Sequence, residues 1–314
     1  MKTNAARLLE HGAPLEVREV EVAEPTAGEV MVEMAFAGVN PVDRYGALGR
    51  VAPNGPLPRT LGGEGAGTVG GRAYAVRGYR LGAMRDGLWA GLAVVPEAAL
   101  VPIPAGVSLE KAAAMGVAGV TAWRTVTELA AVSAEDRVLV LGAGGGVGHV
   151  IVSLAASLGA KVWGQVGSEA KRQFVLERGA ERVIGGGARE VVEAGAELRP
   201  TVVLDPLGDG FTAAAIEVLE PRGRLVVYGT SADASGDLPI QMLYRKGLSV
   251  LGYAGLIESD ETLQRCLGES LQALAEGKLD LVVDSILPLT EANGAFERLV
   301  ERDVLGKLLL DTTA

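Results

Sequence analysis

Residues 138–149 read VLVLGAGGGVGH, an apolar run that leads into a cluster of glycines. The cluster matches the pattern A-x-G-x-x-G at Ala143, Gly145 and Gly148. The first small residue lets the strand turn sharply, the second lets the backbone approach a pyrophosphate, and the third lets the next helix pack against the strand. The N-terminus of that helix then offers free N–H groups and a positive dipole to the phosphates. The pattern predicts a dinucleotide-binding turn, with a structural tight turn as the alternative. The remaining residues predicted to line the turn are Gly144, Gly146 and Val147.

From residue 137 onward, apolar strands alternate with amphipathic helices. Continuous apolar runs predict strands buried on both faces, as in RVLVLGA, KVWGQVG, TVVLDPLG, RLVVYGT and LSVLGYAG. Between the first two runs, VGHVIVSLAASLGA places its apolar residues at helical spacing. This alternation predicts an α/β fold with a doubly wound parallel sheet. It also gives the glycine turn the setting that the motif requires, after a strand and before a helix.

The first third of the chain is β-rich instead. LEVREVEVAE (15–24) and GEVMVEMAFAGVN (28–40) contain alternating stretches that predict half-buried strands. Gly and Pro are then so frequent that no long helix is expected before about residue 108, where SLEKAAAMGVAGVTAWRTVTELAAV begins. The tail predicts a long amphipathic helix, a strand, a second helix and a final strand GKLLLD, which could return to the first domain.

Composition argues against several classes of function. The length of 314 residues favours two domains, and the 48% of hydrophobic residues supply large cores. The net charge of −10, without a basic tract, argues against nucleic acid or an anionic membrane as a partner. No signal peptide or membrane span is expected, and a single cysteine, Cys266, favours a reducing cytoplasm. With only two histidines, His11 and His149, no metal site is expected, and an organic cofactor is predicted to carry the chemistry.

The choice of cofactor depends on the end of the second strand of the nucleotide-binding unit. NAD-specific sites place an acid there, about 20 residues beyond the turn, to bind the ribose 2′-OH. Residues 164–168 read GQVGS and contain no carboxylate, and two cations follow. These cations favour a 2′-phosphate and hence NADPH, although Glu169 would repel a phosphate and an ordinary solvated helix face is the alternative. The residues predicted to contact the 2′-phosphate are Gly167, Ser168, Lys171 and Arg172.

Segments along nearly the whole chain resemble one protein family. They are GVNPVDRYGALG (38–49), GGEGAGTV (62–69), LVPIPAGVSLEKAAAMGVAGVTAW (100–123), VLVLGAGGGVG (138–148), VLDPLG (203–208), GRLVVYG (223–229) and GKLLL (306–310). In this order they resemble the zinc-independent quinone oxidoreductase branch of the medium-chain dehydrogenase/reductase superfamily. The resemblance implies a GroES-like β-rich catalytic domain at residues 1–117 and 257–314, and a Rossmann NADPH-binding domain at residues 118–256, with the active site in the cleft between them.

The same resemblance implies NADPH-dependent reduction of a quinone or a related α,β-unsaturated carbonyl. It also implies a homodimer joined through the Rossmann sheets, with LSVLGY (248–253) at the seam. Quinone reduction and saturation of an enone C=C bond both stay open, because fold and cofactor are the same for both. A third hypothesis is a non-catalytic NADPH-binding protein, since the loops around residues 72–91 depart from the family pattern.

The resemblance also implies roles for several individual residues of this chain. Asn40 and Asp43 match residues that line the cleft near the nicotinamide, and Tyr45 matches a tyrosine that faces the substrate. Asn40 and Tyr45 are therefore the predicted catalytic residues, as donors to the oxyanion that develops on the acceptor. The alternatives are a turn residue before Pro41 for Asn40, a pocket wall for Tyr45 and a structural acceptor for Asp43. The residues matched to cofactor contacts are Thr121, Gly229, Thr230, Ser231, Tyr253, Ala254 and Lys307.

The sequence also departs from the family pattern. Trp89 and Gly91 replace a tyrosine and a glutamate that are common in relatives, so the substrate pocket is expected to be reshaped. Trp89 is predicted to line that pocket, where it could stack on a flat substrate, and filling the core is the alternative. Residues 185–187 are GGG where relatives often contact the adenosine phosphate, which weakens the prediction of NADPH.

Overall fold

A computed structural model describes all of residues 1–314 and divides them into two compact units. The first unit contains Met1–Val120, Glu258–Ala275 and Leu281–Ala314. The second unit contains Thr121–Ile257 and Glu276–Asp280. None of the helices combines the length and the apolar character that crossing a lipid bilayer requires.

The N-terminal part of the first unit is built mainly from strands. Its elements are β1 (Lys2–Leu8), β2 (Glu16–Glu21), β3 (Glu29–Val39), α1 (Pro41–Ala47), β4 (Arg59–Thr60), β5 (Glu64–Val69), β6 (Arg72–Arg77), β7 (Leu92–Pro96), β8 (Leu100–Pro102) and α2 (Leu109–Trp123). The two strands predicted at 15–24 and 28–40 are confirmed as β2 and β3, and the helix predicted from residue 108 is confirmed as α2. A π-helical turn, Arg124–Leu129, continues α2.

The second unit alternates strand and helix. Its elements are β9 (Arg137–Val140), α3 (Gly148–Ser157), β10 (Lys161–Val166), α4 (Arg172–Leu176), β11 (Arg182–Gly185), α5 (Ala188–Leu198), β12 (Val202–Asp205), α6 (Asp209–Val218), β13 (Arg224–Val227), α7 (Ile240–Lys246) and β14 (Ser249–Gly252). The six strands are parallel and lie in the order β11-β10-β9-β12-β13-β14. The order reverses between β9 and β12, which is the switch point where doubly wound sheets bind ligands.

The C-terminal part returns to the first unit, as the sequence suggested. Its elements are α8 (Asp260–Ala275), β15 (Val283–Pro288), α9 (Ala292–Glu301) and β16 (Lys307–Asp311). The last strand, β16, lies between β15 and β3 in a sheet of order β15-β16-β3-β5-β6-β8, and β7 also pairs with β3. A smaller sheet has the order β2-β1-β4. The C-terminal strands β15 and β16 therefore extend the sheet of β3, β5, β6 and β8 from the N-terminal part of the unit.

Two helices of the second unit were not predicted from the sequence. Helix α5 follows the glycines at 185–187 and contains one glycine among its eleven residues, and its buried residues, Val191, Gly195 and Leu198, have helical spacing. Helix α7 spans only seven residues and none of them is buried, since the apolar side chains of Ile240, Met242 and Tyr244 are exposed. The short helix α7 therefore depends on its place in the alternating fold more than on local propensity.

Candidate active site

The glycine turn follows β9 and has little room for side chains. Gly142 has φ +59°, a conformation that glycine adopts without strain. A Cβ on Gly148 would lie 2.3 Å from the Gly142 carbonyl oxygen and 2.8 Å from the Ala143 Cα, so only glycine lets α3 pack this closely against the turn. At Gly145 the nearest atom would be the Gly142 oxygen at 3.3 Å, and no other atom lies within 4 Å. Gly145 therefore faces space that a ligand could fill.

The same turn presents unused hydrogen-bond donors. No carbonyl accepts from the N–H groups of Gly144, Gly146 or Val147, and no side chain caps α3 at its N-terminus. Residues 145–147 are partly exposed. Unpaired N–H groups at a helix N-terminus bind phosphate, because the helix dipole adds positive potential there. The turn thus has both the space and the donors that the pyrophosphate of a dinucleotide needs.

Three residues outside the motif hold the turn in place. Gln165 is 2% exposed, and its Oε1 accepts from the Gly142 N–H at 3.0 Å while its Nε2 donates to the Gly186 carbonyl at 2.6 Å. His149 donates from Nδ1 to the Gly145 carbonyl at 2.8 Å, since a carbonyl oxygen only accepts. Gly164 of β10 lets the turn lie close to this strand, because a Cβ at this position would lie 2.8 Å from the Ala143 Cβ. The sequence offered a signal only for the role of Gln165, which is a glutamine within an otherwise apolar strand.

The residues predicted to contact the 2′-phosphate follow β10 and differ in their exposure and in their side-chain contacts. Gly167 and Ser168 are exposed, and a Cβ on Gly167 would meet no atom within 4 Å. Lys171 extends across the turn, because a Cβ on Gly144 would lie 2.9 Å from the Lys171 Cδ. Arg172 instead forms an ion pair with Glu169. Lys171 therefore lies against the turn, and the guanidinium of Arg172 is paired with a carboxylate.

A second loop, residues 229–231, lies close to the turn through Pro206. The N–H and Oγ of Ser231 both donate to the Pro206 carbonyl, at 2.9 and 3.1 Å. A Cβ on Gly229 would lie 2.9 Å from the same oxygen, and a Cβ on Gly142 would lie 3.2 Å from the Pro206 Cγ. The ends of β9, β12 and β13 therefore converge at the switch point, with Thr230 exposed there.

The other positions matched to cofactor contacts in this unit lie elsewhere in it. Thr121 is buried in α2, and its carbonyl accepts from the Thr125 hydroxyl at 2.7 Å. Tyr253 is buried after β14, and its N–H donates to the Val227 carbonyl. Ala254 is exposed. These three positions retain their predicted roles as proposals.

A buried polar cluster forms in the first unit at the end of β3 and the adjacent starts of β5 and β16. Leu308 of β16 pairs with Val39 of β3, so Lys307 lies level with Asn40. Ala37 of β3 pairs with Gly65 of β5, which places Glu64 opposite Gly38, two residues before Asn40. The register of the three strands therefore brings Lys307, Asn40 and Glu64 close together. Their relative exposures are 3% for Lys307, 4% for Asn40 and 0% for Glu64.

Hydrogen bonds join these three side chains into one network. The Lys307 ammonium donates to Glu64 Oε1 at 2.7 Å and also to Asn40 Oδ1. Asn40 Nδ2 donates to Glu64 Oε1 at 2.6 Å, and the N–H of Val117 donates to Glu64 Oε2. Glycines make the room, because a Cβ on Gly38 would lie 2.1 Å from Glu64 Oε1. A buried charge pair of this kind is tolerable because each charge is matched and hydrogen-bonded.

Asp43 adds a second carboxylate to this cluster. Asn40 is the N-cap of α1, and its N–H donates to Asp43 Oδ2 at 2.9 Å while its Nδ2 reaches the same oxygen at 3.3 Å. Burial, followed by the negative charge of Glu64, raises the pKa of Asp43 to about 6. The backbone bond from Asn40 and the charges of Lys307 and Arg77 oppose the rise only in part.

This cluster changes how three predicted residues are interpreted. The Asn40 amide donates to Asp43 and Glu64 and its oxygen accepts from Lys307, so Asn40 has no amide hydrogen left for an oxyanion. Lys307 was predicted to contact the cofactor, and the structure commits its ammonium to Glu64 and Asn40. Asp43 is a buried hydrogen-bond acceptor in the first turn of α1, which was the structural alternative. Glu64 was not predicted as a functional residue, although it lies within the family-like segment GGEGAGTV.

The two aromatic predictions have different outcomes. The prediction that Trp89 lines the substrate pocket is wrong, because Trp89 is 0% exposed. Its Nε1 donates to the Gly38 carbonyl at 3.1 Å, and its ring lies 5.4 Å from that of Phe296. Trp89 therefore fills the core, where a large ring gains most from burial. Tyr45 is half-buried in α1, and its hydroxyl makes no hydrogen bond within the chain.

The potential metal ligands are scattered. No group of three or more His, Cys, Asp or Glu side chains is arranged to hold a metal ion. His149 is buried beneath the glycine turn, Cys266 is buried in α8, and His11 lies near the Pro53 carbonyl at 3.3 Å. A zinc site needs several such ligands at one point.

Comparison with known proteins assigns the family. A family model described as zinc-binding dehydrogenase matches residues 146–269. The chain is 30% identical over 318 residues to quinone oxidoreductase 1 of Escherichia coli, which covers 96% of this chain and 97% of the relative. The quinone oxidoreductase of Thermus thermophilus, solved also with NADPH, has a TM-score of 0.87 at 30% identity and covers 98% and 99% of the two chains. An NAD-dependent alcohol dehydrogenase has a TM-score of 0.88 at 30% identity with the same coverage. The chain therefore belongs to the quinone oxidoreductase branch of the medium-chain dehydrogenase/reductase superfamily.

Proposed function

We propose that the chain is an NADPH-dependent oxidoreductase that transfers hydride to a quinone or a quinone-like carbonyl without zinc. The observation that carries the proposal is the glycine turn, in which Gly145 faces open space and neighbouring N–H groups lack acceptors. Full-length similarity to quinone oxidoreductases supports the reaction class, and the Thermus relative was solved with NADPH.

The chain's own residues have separable tasks in this proposal. The N–H groups of Gly144, Gly146 and Val147 bind the pyrophosphate, and the α3 dipole adds to their attraction. Lys171, which lies across Gly144, supplies a positive charge at the same place. Gln165 holds the turn rigid through its bonds to Gly142 and Gly186. The bound cofactor supplies the hydride, so the protein needs to bind, orient and stabilise charge rather than to break bonds.

Tyr45 is the residue that we propose stabilises the reduced acceptor. Hydride transfer to a quinone places negative charge on oxygen, and a positioned donor lowers the energy of that state. The Tyr45 hydroxyl is free to donate, whereas the Asn40 amide is fully engaged. Asn40 then acts by fixing the start of α1, on which Tyr45 lies.

The zinc-free part of the proposal rests on the donor set. Known zinc sites of catalytic enzymes use at least three protein ligands, mostly His and Cys. The chain has two His and one Cys; His149 hydrogen-bonds to Gly145, His11 lies beside the Pro53 carbonyl and Cys266 is buried in α8. Metal analysis of the purified protein tests this directly. Substoichiometric zinc is expected, and one tightly held zinc per chain would overturn the zinc-free part.

Absorbance at 340 nm tests the reaction, because it follows the oxidation of NADPH. Purified protein is mixed with NADPH and either 1,4-benzoquinone, 1,4-naphthoquinone or an unbranched 2-alkenal. Faster turnover with the quinones supports the proposal, whereas turnover with the alkenal alone would replace the quinone by an enone as acceptor. No oxidation with any acceptor would favour a non-catalytic NADPH-binding protein.

Two variants sharpen this experiment. Tyr45→Phe removes only the hydroxyl, and we expect kcat to fall about tenfold or more with the affinity for NADPH unchanged. Tyr74→Phe is the matched control, because Tyr74 lies in β6 and has no role in the proposed reaction or dimer. Equal kcat in Tyr45→Phe and in the unaltered protein would remove Tyr45 from the mechanism while leaving the reaction class intact.

We also propose that the chain forms a homodimer through β14. This strand pairs only with β13 and is therefore an edge of the sheet, and exposed edges favour pairing with another chain. Apolar side chains are exposed nearby, namely Val250, Ile240, Met242 and Tyr244. Sedimentation velocity is expected to show a dimer, and Val250→Lys is expected to yield monomers. A monomeric unaltered protein would contradict this proposal.

A further inference from the structure

The ion pair between Glu169 and Arg172 lies where a dinucleotide fold distinguishes a ribose 2′-OH from a 2′-phosphate. Strand β10 ends at Val166, Gly167 and Ser168 follow, and a single 3₁₀ turn, Glu169–Lys171, leads into α4. In such folds an acid near this point binds the 2′-OH and an arginine binds the 2′-phosphate. The chain carries both residue types at this point, three positions apart.

The contacts of Arg172 show which partner it has. Its Nε and Nη2 donate to the two carboxylate oxygens of Glu169, the latter at 3.2 Å, and its Nη1 donates to the Val183 carbonyl at 2.6 Å. The Nε–Nη2 edge is a fork with which arginine grips a phosphate in a bidentate manner. Glu169 occupies this edge, so a 2′-phosphate must displace the carboxylate to use it.

The position of the pair relative to the sheet supports this interpretation. A Cβ on Gly185, at the end of β11, would lie 3.6 Å from Glu169 Oε2 and 3.8 Å from Arg172 Nη2. Gly185 is the β-sheet partner of Val166, so the pair lies at the ends of these two strands. The hydrogen bond from Arg172 lowers the pKa of Glu169. The Glu169 side chain is 73% exposed and hence accessible to a ligand.

We propose that Glu169 is a specificity-determining residue that keeps Arg172 from the 2′-phosphate and offers its own carboxylate to an unphosphorylated ribose. The protein then accepts NADH as well as NADPH, because Arg172 is withheld from the 2′-phosphate. The inference rests on the proposed dinucleotide-binding function and names the residue that sets the balance between the two cofactors.

The test compares the dissociation constants of NADPH and NADH, measured by isothermal titration calorimetry without any acceptor. Glu169→Gln keeps the size of the side chain and removes its charge. Arg172 regains its fork, so the dissociation constant of NADPH is expected to fall about tenfold, the equivalent of one charge-assisted hydrogen bond. The dissociation constant of NADH is expected to rise, because a carboxylate accepts from a ribose hydroxyl more strongly than an amide does.

Two further variants make the test specific. Glu193→Gln is the matched control, since Glu193 forms an exposed ion pair with Arg189 on α5, and it is expected to change neither constant. In the Glu169→Gln background, Arg172→Ala is expected to abolish the gain in NADPH affinity, whereas Arg172→Ala alone is expected to change that affinity little.

The possible failures are distinguishable. If Glu169→Gln shifts both dissociation constants in the same direction, or shifts neither, the proposed role of Glu169 is overturned and dinucleotide binding stands. If the unaltered protein binds neither nucleotide, both this inference and the proposed function are overturned.

Discussion

Asp43 offers a prediction in which stability depends on pH in an unusual direction. Its pKa is raised from 3.8 to about 6, first by burial and then by the charge of Glu64. Between these values the folded protein binds a proton at Asp43 that the unfolded chain has released. The free energy of unfolding therefore falls as pH rises through this window, because the ionised form is the costly one in the fold. At 1.36 kcal/mol per pKa unit, the full cost is about 3 kcal/mol.

Asp43→Asn removes the charge and keeps an oxygen that accepts from the Asn40 N–H. The variant is expected to be more stable than the unaltered protein by up to about 3 kcal/mol near pH 7.5, and equally stable near pH 4. Urea unfolding followed by circular dichroism at a series of pH values measures the difference. Asp237→Asn, on an exposed loop, is the control and is expected to show no such trend. A variant that is less stable than the unaltered protein by a pH-independent amount would refute the reasoning.

Three further variants test other parts of the structure. Lys307→Met leaves the Glu64 carboxylate buried without its cation, so urea unfolding is expected to show a loss of about 3–5 kcal/mol, and a loss below about 1 kcal/mol would contradict the buried pair. Gly148→Ala is expected to lower the melting temperature of the protein, because its Cβ would lie 2.3 Å from the Gly142 carbonyl oxygen, and an unchanged melting temperature would argue against this packing. Trp89→Phe is expected to cost about 1–3 kcal/mol through lost volume and an unpaired carbonyl, with the KM for the quinone unchanged, whereas a selective rise in KM would restore Trp89 to the substrate pocket.

The nucleotide-binding part of the fold was predictable because its signals are local. Apolar runs such as RVLVLGA specify buried parallel strands without reference to distant residues, and the roles of Gly145 and Gly148 follow from a motif that spans six positions. Helix α5 was missed although its buried residues, Val191, Gly195 and Leu198, have helical spacing, because Gly195 and the three glycines that precede the helix are poor helix formers. Gln165 was missed as a support because its two partners lie 23 and 21 positions away.

The polar cluster of the first unit was less predictable because it depends on strand register. Lys307 and Asn40 are 267 positions apart and meet only because β16 inserts beside β3. The family-like segments indicated that Asn40, Asp43 and Lys307 lie near the active site. They did not indicate which residues these three contact, so Glu64 was overlooked. Trp89 was misplaced for a related reason: an aromatic residue in a glycine-rich segment suits a pocket or a core equally well, and only tertiary packing decides between them.

The central claim is that the glycine turn binds the pyrophosphate of NADPH, and Gly145→Asp tests it most directly. A side chain at Gly145 meets only the Gly142 oxygen, at 3.3 Å, so the variant is expected to fold while its carboxylate occupies the phosphate position. Gly294→Asp, at a helical glycine with no atom within 4 Å of a Cβ, controls for the added charge. Isothermal titration calorimetry is expected to show an NADPH dissociation constant raised roughly hundredfold or more in Gly145→Asp and unchanged in the control. An unchanged constant in a folded Gly145→Asp protein would contradict the claim.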